Sequence, residues 1–444
     1  MGKYMAPEAP NNPFLSAFSL AGILPGRRVI LTTLILAPFL TVTLAHAADP
    51  LTWEACARET RANNPQLRTA RYRLETSRLQ RSSALGGFLP RMDVSGGMDG
   101  SGGKPYFGRY EPGYSSKLAV TQPLFSGFST VAELDRAGAA FRVEEARFRS
   151  TEAEVRHRLR KAYTTVMLAQ ENVQVRALIA RRRSENLELV KKVVAAKKGE
   201  DSSVQQAEAE VGKAEFEVSK GKRALIRAQQ RVSREMGREK FTPMEVTVDW
   251  TAQPPPSDPA MEELAEAVPG VREVAAGVTQ AESELVEARS VFWPSVDAHA
   301  SVYRDGPDWP PTESRGWILG AYVSYNLFSG MKDWVNLRVA VNGINEAKEE
   351  LVIARRSALE ALEEALSPYA DAYESVAVQK QSLDAARSRA EDSRKGYSEG
   401  SVEFDQWNEV ESGLVEAETG FIEARKEALD AEADWLLATG AGLP

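Results

Sequence analysis

The chain has 444 residues, of which 43% are hydrophobic and 27% charged, with a formal net charge of -8 and one cysteine. A lone cysteine excludes an intrachain disulfide framework, and this charged fraction with 31 glycines and 23 prolines excludes a disordered chain. Residues 1–250 hold 39 Lys or Arg against 27 Asp or Glu, and residues 251–444 hold 16 against 36. A basic first half and an acidic second half favour packing side by side; no nucleic-acid signature follows.

The first 48 residues read as an export signal rather than as structure. Arg27 and Arg28 precede an uncharged apolar run, Val29 to Ala47, and Ala45-His46-Ala47 supplies the small-x-small pattern before Ala48. Residues 1–47 are therefore assigned to a signal peptide, with Met5 an alternative start and an uncleaved anchor the competing reading. Cys56 lacks the context for lipid attachment and fits a small buried helix residue.

The first repeat is placed at 48–240. It opens with helical sequence from Leu51 to Gly86, broken at Asn63-Asn64-Pro65, and Phe88 and Pro90 end it. Two strands are expected over 88–126: Met92, Val94 and Met98 alternate with polar residues, as do Tyr114, Leu118 and Val120, around a loop at Gly102-Gly103-Lys104-Pro105-Tyr106. A helical hairpin follows at 128–237. Leu134, Phe141, Phe148, Val155, Ala162 and Ala169 recur every seven residues, and a second row runs Leu159, Val166, Val173, Ala180, Leu187 and Val194. At 1.5 Å per residue such a helix is about 100 Å long. After Gly199 the return helix pairs a row of Val204, Val211, Val218, Leu225 and Val232 with a row of Ala207, Ala214, Gly221 and Ala228, ending near Gly237. Large residues facing tiny ones let the two backbones approach closely.

A linker over 241–260 contains Thr242-Pro243, Pro254-Pro255-Pro256 and an extended piece at Val246, Val248 and Trp250. The second repeat, 261–440, then restates the first. Pro65 matches Pro269, and Gly86-Gly87-Phe88-Leu89-Pro90 matches Ser290-Val291-Phe292-Trp293-Pro294. Leu124-Phe125-Ser126-Gly127 recurs as Leu327-Phe328-Ser329-Gly330. Strands are expected over 292–329 and a hairpin over 331–439, whose rows are Leu362, Tyr369, Val376, Leu383, Ala390 and Tyr397, then Trp407, Leu414, Phe421, Ala428 and Trp435. Pro368 predicts a kink, and Ala438 to Pro444 a frayed end.

The strands have the length of membrane-crossing β segments, about ten tilted residues. Tyr303, Trp317, Tyr325 and Phe328 stand at their ends, where a barrel meets lipid headgroups. Four strands cannot close a barrel, and open edges are not tolerated in lipid, so several chains must form one ring. Physical reasoning demands the ring without choosing its number.

The opening Leu51-Thr52-Trp53-Glu54-Ala55, running to Asn63-Asn64-Pro65, the paired Leu-Phe-Ser-Gly turns and Tyr397-Ser398-Glu399-Gly400 together resemble the TolC family of outer-membrane efflux channels, over the whole mature chain. The resemblance implies a mixed fold, a membrane β-barrel plus a long α-helical barrel, with a homotrimer supplying twelve strands. It implies an outer-membrane location with the helices in the periplasm. It also implies passive conduction of substrate delivered by a periplasmic adaptor (membrane fusion) protein and an inner-membrane transporter, in efflux or type I secretion. By this resemblance the adaptor-contacting tips are Lys198, Gly199 and Glu200 with Glu399, Gly400 and Ser401, and the entrance and selectivity positions are Tyr397, Asp405 and Glu409. Three departures stand out: Val402 occupies the family's arginine position, Gln205 its acid position, and Gln406 the position of one luminal acid. Any closure here rests on packing or on other pairs.

No catalytic constellation is present. His157 and His299 are isolated, no cluster has metal-ligand spacing, and Gly102-Gly103-Lys104-Pro105 lacks the hydroxyl residue of a phosphate loop. The sequence therefore points to neither an enzyme nor a cofactor. Two rivals are a periplasmic coiled-coil adaptor and a soluble scaffold; the first normally has one hairpin and the second needs no strands or export signal.

Overall fold

The computed structural model describes residues 50–101, 111–196, 200–247 and 251–444. The expected signal peptide, the loop from Gly102 to Tyr106, Lys198 and Gly199, and Val248 and Trp250 lie outside the described residues. In chain order come α1 (Trp53–Asn63), α2 (Pro65–Ala84), β1 (Arg91–Ser101), β2 (Glu111–Ser126), α3 (Ser129–Ala195) and α4 (Asp201–Glu235). Then follow α5 (Met261–Ala267), α6 (Pro269–Ser290), β3 (Ser295–Gly306), β4 (Ser314–Ser324), α7 (Lys332–Glu399) and α8 (Phe404–Ala438).

The break at Asn63-Asn64-Pro65 has a local cause. The Asn64 side chain accepts hydrogen bonds from the Gln66 and Leu67 N–H groups at 2.9 and 3.2 Å, capping α2, while Pro65 occupies the first turn. Its amide also donates to the Glu235 carbonyl at 2.8 Å, so one side chain closes the start of α2 and the end of α4. Gly237 completes that junction. Its φ is +77°, and a Cβ there would lie 2.5 Å from the Asn63 carbonyl oxygen.

The four strands form one antiparallel sheet in the order β1-β2-β3-β4, so β2 and β3 join the two repeats and β1 and β4 are its edges. Register places Val94, Leu118, Val302 and Trp317 in one row, and Met92, Val120, Ala300 and Leu319 in another on the same face. The opposite face carries Asp93, Ala119, Ser301 and Ile318, then Arg91, Thr121, His299 and Gly320. Each repeated Leu-Phe-Ser-Gly turn swings the chain from strand to helix through two left-handed residues, Gly127 and Phe128 in one copy and Gly330 and Met331 in the other.

Near the sheet the helices lie side by side as α2-α3-α6-α7, and in the far half as α4-α3-α8-α7. The changeover is packed by Val155, Leu159, Tyr163, Val166 and Met167 of α3 against Cys56, Leu67, Val232, Met236 and Leu429. The linker is bound around this level. Leu51 and Val246 form a parallel bridge, Gln170 hydrogen-bonds both backbone groups of Val246, and the Tyr369 hydroxyl donates to the Gln253 carbonyl at 2.7 Å.

Two expectations need correcting. In the first half of α3 the fully buried row is Ala132, Ala139, Ala146 and Ala153, two residues ahead of the half-buried Leu134, Phe141 and Phe148. There α3 is flanked by α2 and α6, and only methyl side chains fit the closest approach. The chain end is not frayed either: Leu443 is buried, its carbonyl accepts from Arg61 at 2.6 Å, and the Ala441 carbonyl accepts from Arg156 at 3.3 Å. The α7 row Leu362, Tyr369, Leu383, Ala390 and Tyr397 is buried, and α7 runs continuously through Pro368.

Candidate functional site

The helix ends farthest from the sheet are built by the two hairpin tips. Helix α7 stops at Gly400, whose φ of +83° lets the chain reverse, and the Ser401 N–H and hydroxyl both donate to the Gly396 carbonyl, at 2.9 and 3.0 Å. Helix α8 then starts at Phe404. On the first hairpin Glu200 precedes α4 and accepts from the Ser202 hydroxyl at 3.0 Å. Glu200, Glu399 and Ser401 are exposed.

Between the tips lies an aromatic cluster. The Tyr397 ring stacks on Trp407 with centroids 4.4 Å apart and planes 13° apart, and Phe404 meets both edge-on at 6.1 Å. Val190 and Ala207 close it from the first hairpin, with Leu187, Val194, Val204 and Val402 around them. Burial pushes the Tyr397 hydroxyl above the ordinary tyrosine pKa. Tyr397 is thus part of the packing that ties one hairpin to the other. Val402 packs in the same apolar cluster. Asp405 and Glu409 are exposed, one turn apart on α8, with Asp405 in its first turn.

Farther from the tips the copies are joined by charges. Arg182 of α3 reaches Glu418 of α8 through two bonds, 2.9 and 3.0 Å, and lies 3.1 Å from Glu411. Burial opposes the Arg182 charge, yet the hydrogen bonds and charges of Glu418 and Glu411 together outweigh it and hold the Arg182 pKa above the ordinary arginine value. Arg183 bonds Asn408 at 2.8 Å and Ser412 at 3.1 Å. Arg160 and Glu432 pair at 3.0 Å with both side chains buried, and burial draws Arg160 down to about 10 against the pull of Glu432. Lys161 and His157 share Asp434, while Arg425 reverses the polarity with Glu171 at 2.5 Å. Most of these pairs set a base of the first half against an acid of the second across the contact of α3 with α8. Sequence inspection missed these pairs individually; the signal was charged residues flanking the apolar rows of α3 and α8.

Among the described residues no group of three His, Cys, Asp or Glu could hold a metal ion, and no helix is long and apolar enough to cross a membrane.

The family model for outer membrane efflux proteins matches residues 56–238 and 260–441, one segment in each repeat. A comparison with curated proteins finds no match. Among solved structures, CusC superposes with a TM-score of 0.78 at 16% identity, covering 87% of this chain and 91% of that one. The open state of the MtrE outer membrane channel of Neisseria gonorrhoeae gives 0.74 at 19% identity, with 88% and 89% covered. The outer membrane protein VceC of Vibrio cholerae gives 0.74 at 14% identity, with 88% and 96% covered. Matched in both repeats, the chain belongs to the outer membrane efflux protein family: a transport channel of the outer membrane and not an enzyme, whose strands supply a membrane β-barrel and whose hairpins supply a helical barrel in the periplasm.

Proposed function

We propose that three copies of this chain close into one conduit, a twelve-stranded barrel continued by a helical tunnel, through which substrate passes passively. The observation that carries this is the pair of open edges. Among the described residues β1 and β4 each lack a neighbour on one side, which lipid does not tolerate, and pairing β4 of one copy with β1 of the next satisfies both. Helix edges tell the same story: Trp334, Val335, Val339 and Ile353 of α7 and Tyr72 and Leu79 of α2 are exposed in the single chain. Such apolar surface on opposite flanks suits a heterologous contact that closes on itself.

The tips, Lys198, Gly199 and Glu200 with Glu399, Gly400 and Ser401, are the positions proposed to meet a periplasmic adaptor, which links the channel to an energised inner-membrane transporter. Asp405 and Glu409, repeated three times, would ring the entrance with carboxylates and favour cations. Closure rests on the apolar packing of Tyr397, Phe404 and Trp407, since Val402 and Gln205 replace the charged pair of the family.

The test is single-channel recording of the purified trimer in planar bilayers. Burial holds the only cysteine thiol, Cys56, up at about 12, so maleimide labelling at an introduced tip cysteine such as Ser401→Cys reads that position alone. Expected are discrete pores whose cation preference falls in Asp405→Asn/Glu409→Gln and whose current drops on labelling the tip. Recovery of a water-soluble monomer without conductance refutes the proposal.

A further inference from the structure

On the apolar face of the sheet one row breaks the pattern. Register aligns Gly96, Ser116, Arg304 and Arg315 across β1 to β4, directly beyond the row of Val94, Leu118, Val302 and Trp317. Arg304 and Arg315 are therefore cross-strand partners that share the face of Trp317, Leu319 and Val323, each of which is at least 70% exposed in the single chain. Like charges directly opposite one another in a sheet repel, their Cβ atoms only about 5 Å apart. Among the described residues neither guanidinium has an ion pair or hydrogen-bonded partner.

Depth in the membrane explains what relieves this. Arg304 lies nine residues beyond Ser295, where β3 leaves the helical part, and two residues before the strand ends at Gly306. At about 3.4 Å per residue and a tilt near 40°, the row stands roughly 24 Å above the helical side, the height of the apolar band of an outer-membrane barrel. The pair thus sits where hydrocarbon gives way to the headgroups of the outward leaflet. Its surroundings fit a headgroup: Gly96 and Ser116 leave space in the row, a groove of about 670 Å³ is lined in part by Ser116, Leu118, Val302, Arg304, Arg315 and Trp317, and the Trp309 ring lies 3.4 Å from where a Gly96 Cβ would be. Trp309 also meets Tyr114, with centroids 6.3 Å apart, completing an aromatic rim of the kind that anchors barrels at the interface.

We propose that Arg304 and Arg315 form a lipid-binding site that clamps the phosphate of an outward-leaflet headgroup against the barrel wall. Two guanidinium forks match a phosphate through paired N–H donors, and the anion converts a repulsive pair into a bridged one. The site rests on the barrel reading of the sheet, but lies on the side facing away from the conduit, so conduction and lipid binding are separable.

Native mass spectrometry of the purified full-length channel tests this, with phosphatidic acid and phosphatidylcholine of equal chain length as probes and inorganic phosphate as competitor. Two arginines at a headgroup give an expected preference for phosphatidic acid on the order of 30-fold. Arg304→Gln/Arg315→Gln loses that preference with conductance unchanged, and Arg91→Gln, on the opposite face of β1 and outside the groove, keeps it. Arg304→Lys/Arg315→Lys, which preserves charge and guards against misfolding, retains a reduced part of it. Equal retention of both lipids by the natural sequence, an unaltered preference in the glutamine pair, or full displacement by inorganic phosphate at matched concentration overturns the assignment. An absence of conducting trimers altogether defeats the barrel reading instead.

Discussion

Arg182 is the place to test whether buried charge holds the two halves together. Its guanidinium is 20% exposed and serves Glu418, 13% exposed, and Glu411, 2% exposed. Arg182→Met keeps most of the side-chain volume and leaves two neighbouring carboxylates without their cation. Removing one partner from a buried ion pair costs about 3–5 kcal/mol, chiefly through the charge left behind. Taking 3 kcal/mol as the local cost, opening of the α3–α8 contact becomes roughly 100-fold more frequent. Hydrogen exchange of the full-length protein reads this as lost amide protection in α8 around 411–418. Replacing all three residues by Met, Leu and Leu brings protection back to within about 1 kcal/mol of the natural sequence, since an apolar trio of similar volume avoids desolvation. Less than a threefold change in Arg182→Met refutes the reasoning.

Asp434 ties stability to pH. Burial alone would raise its pKa, but the hydrogen bonds from His157 and Lys161 lower it below the ordinary aspartate value. A lowered folded pKa contributes stability above the unfolded pKa that is lost as pH falls through the folded one. Asp434→Asn is accordingly less thermostable than the natural sequence at pH 7, and the gap in melting temperature closes below about pH 4. Gly237→Ala combines a left-handed φ with overlap on the Asn63 carbonyl, an expected cost above about 2 kcal/mol, and lowers the yield of heat-resistant oligomer.

Much of this protein is readable in one dimension because its elements are long and repeated. A period of seven over α3, α4, α7 and α8 specifies coiled hairpins wherever they are placed, and the recurring Leu-Phe-Ser-Gly turns mark where strand gives way to helix in each copy. Strand alternation named the two faces of the sheet. Even the tip glycine Gly400 and the Asn64 cap follow from local backbone chemistry.

What periodicity leaves open is phase, because several rows on one helix share the same spacing. Ala132, Ala139, Ala146 and Ala153 recur every seven residues just as Leu134, Phe141 and Phe148 do, and only the presence of α2 and α6 on either side decided which row is innermost. Tyr397 and Trp407 were each visible as members of heptad rows, yet their stacking needed the turn at Gly400 to bring α7 and α8 together. The partners of Arg160 and Arg182 lie more than two hundred residues away, so tertiary packing alone set those pairs. Leu443 was held by Arg61 for the same reason: contacts between distant segments depend on how helices are laid side by side, which no local pattern encodes.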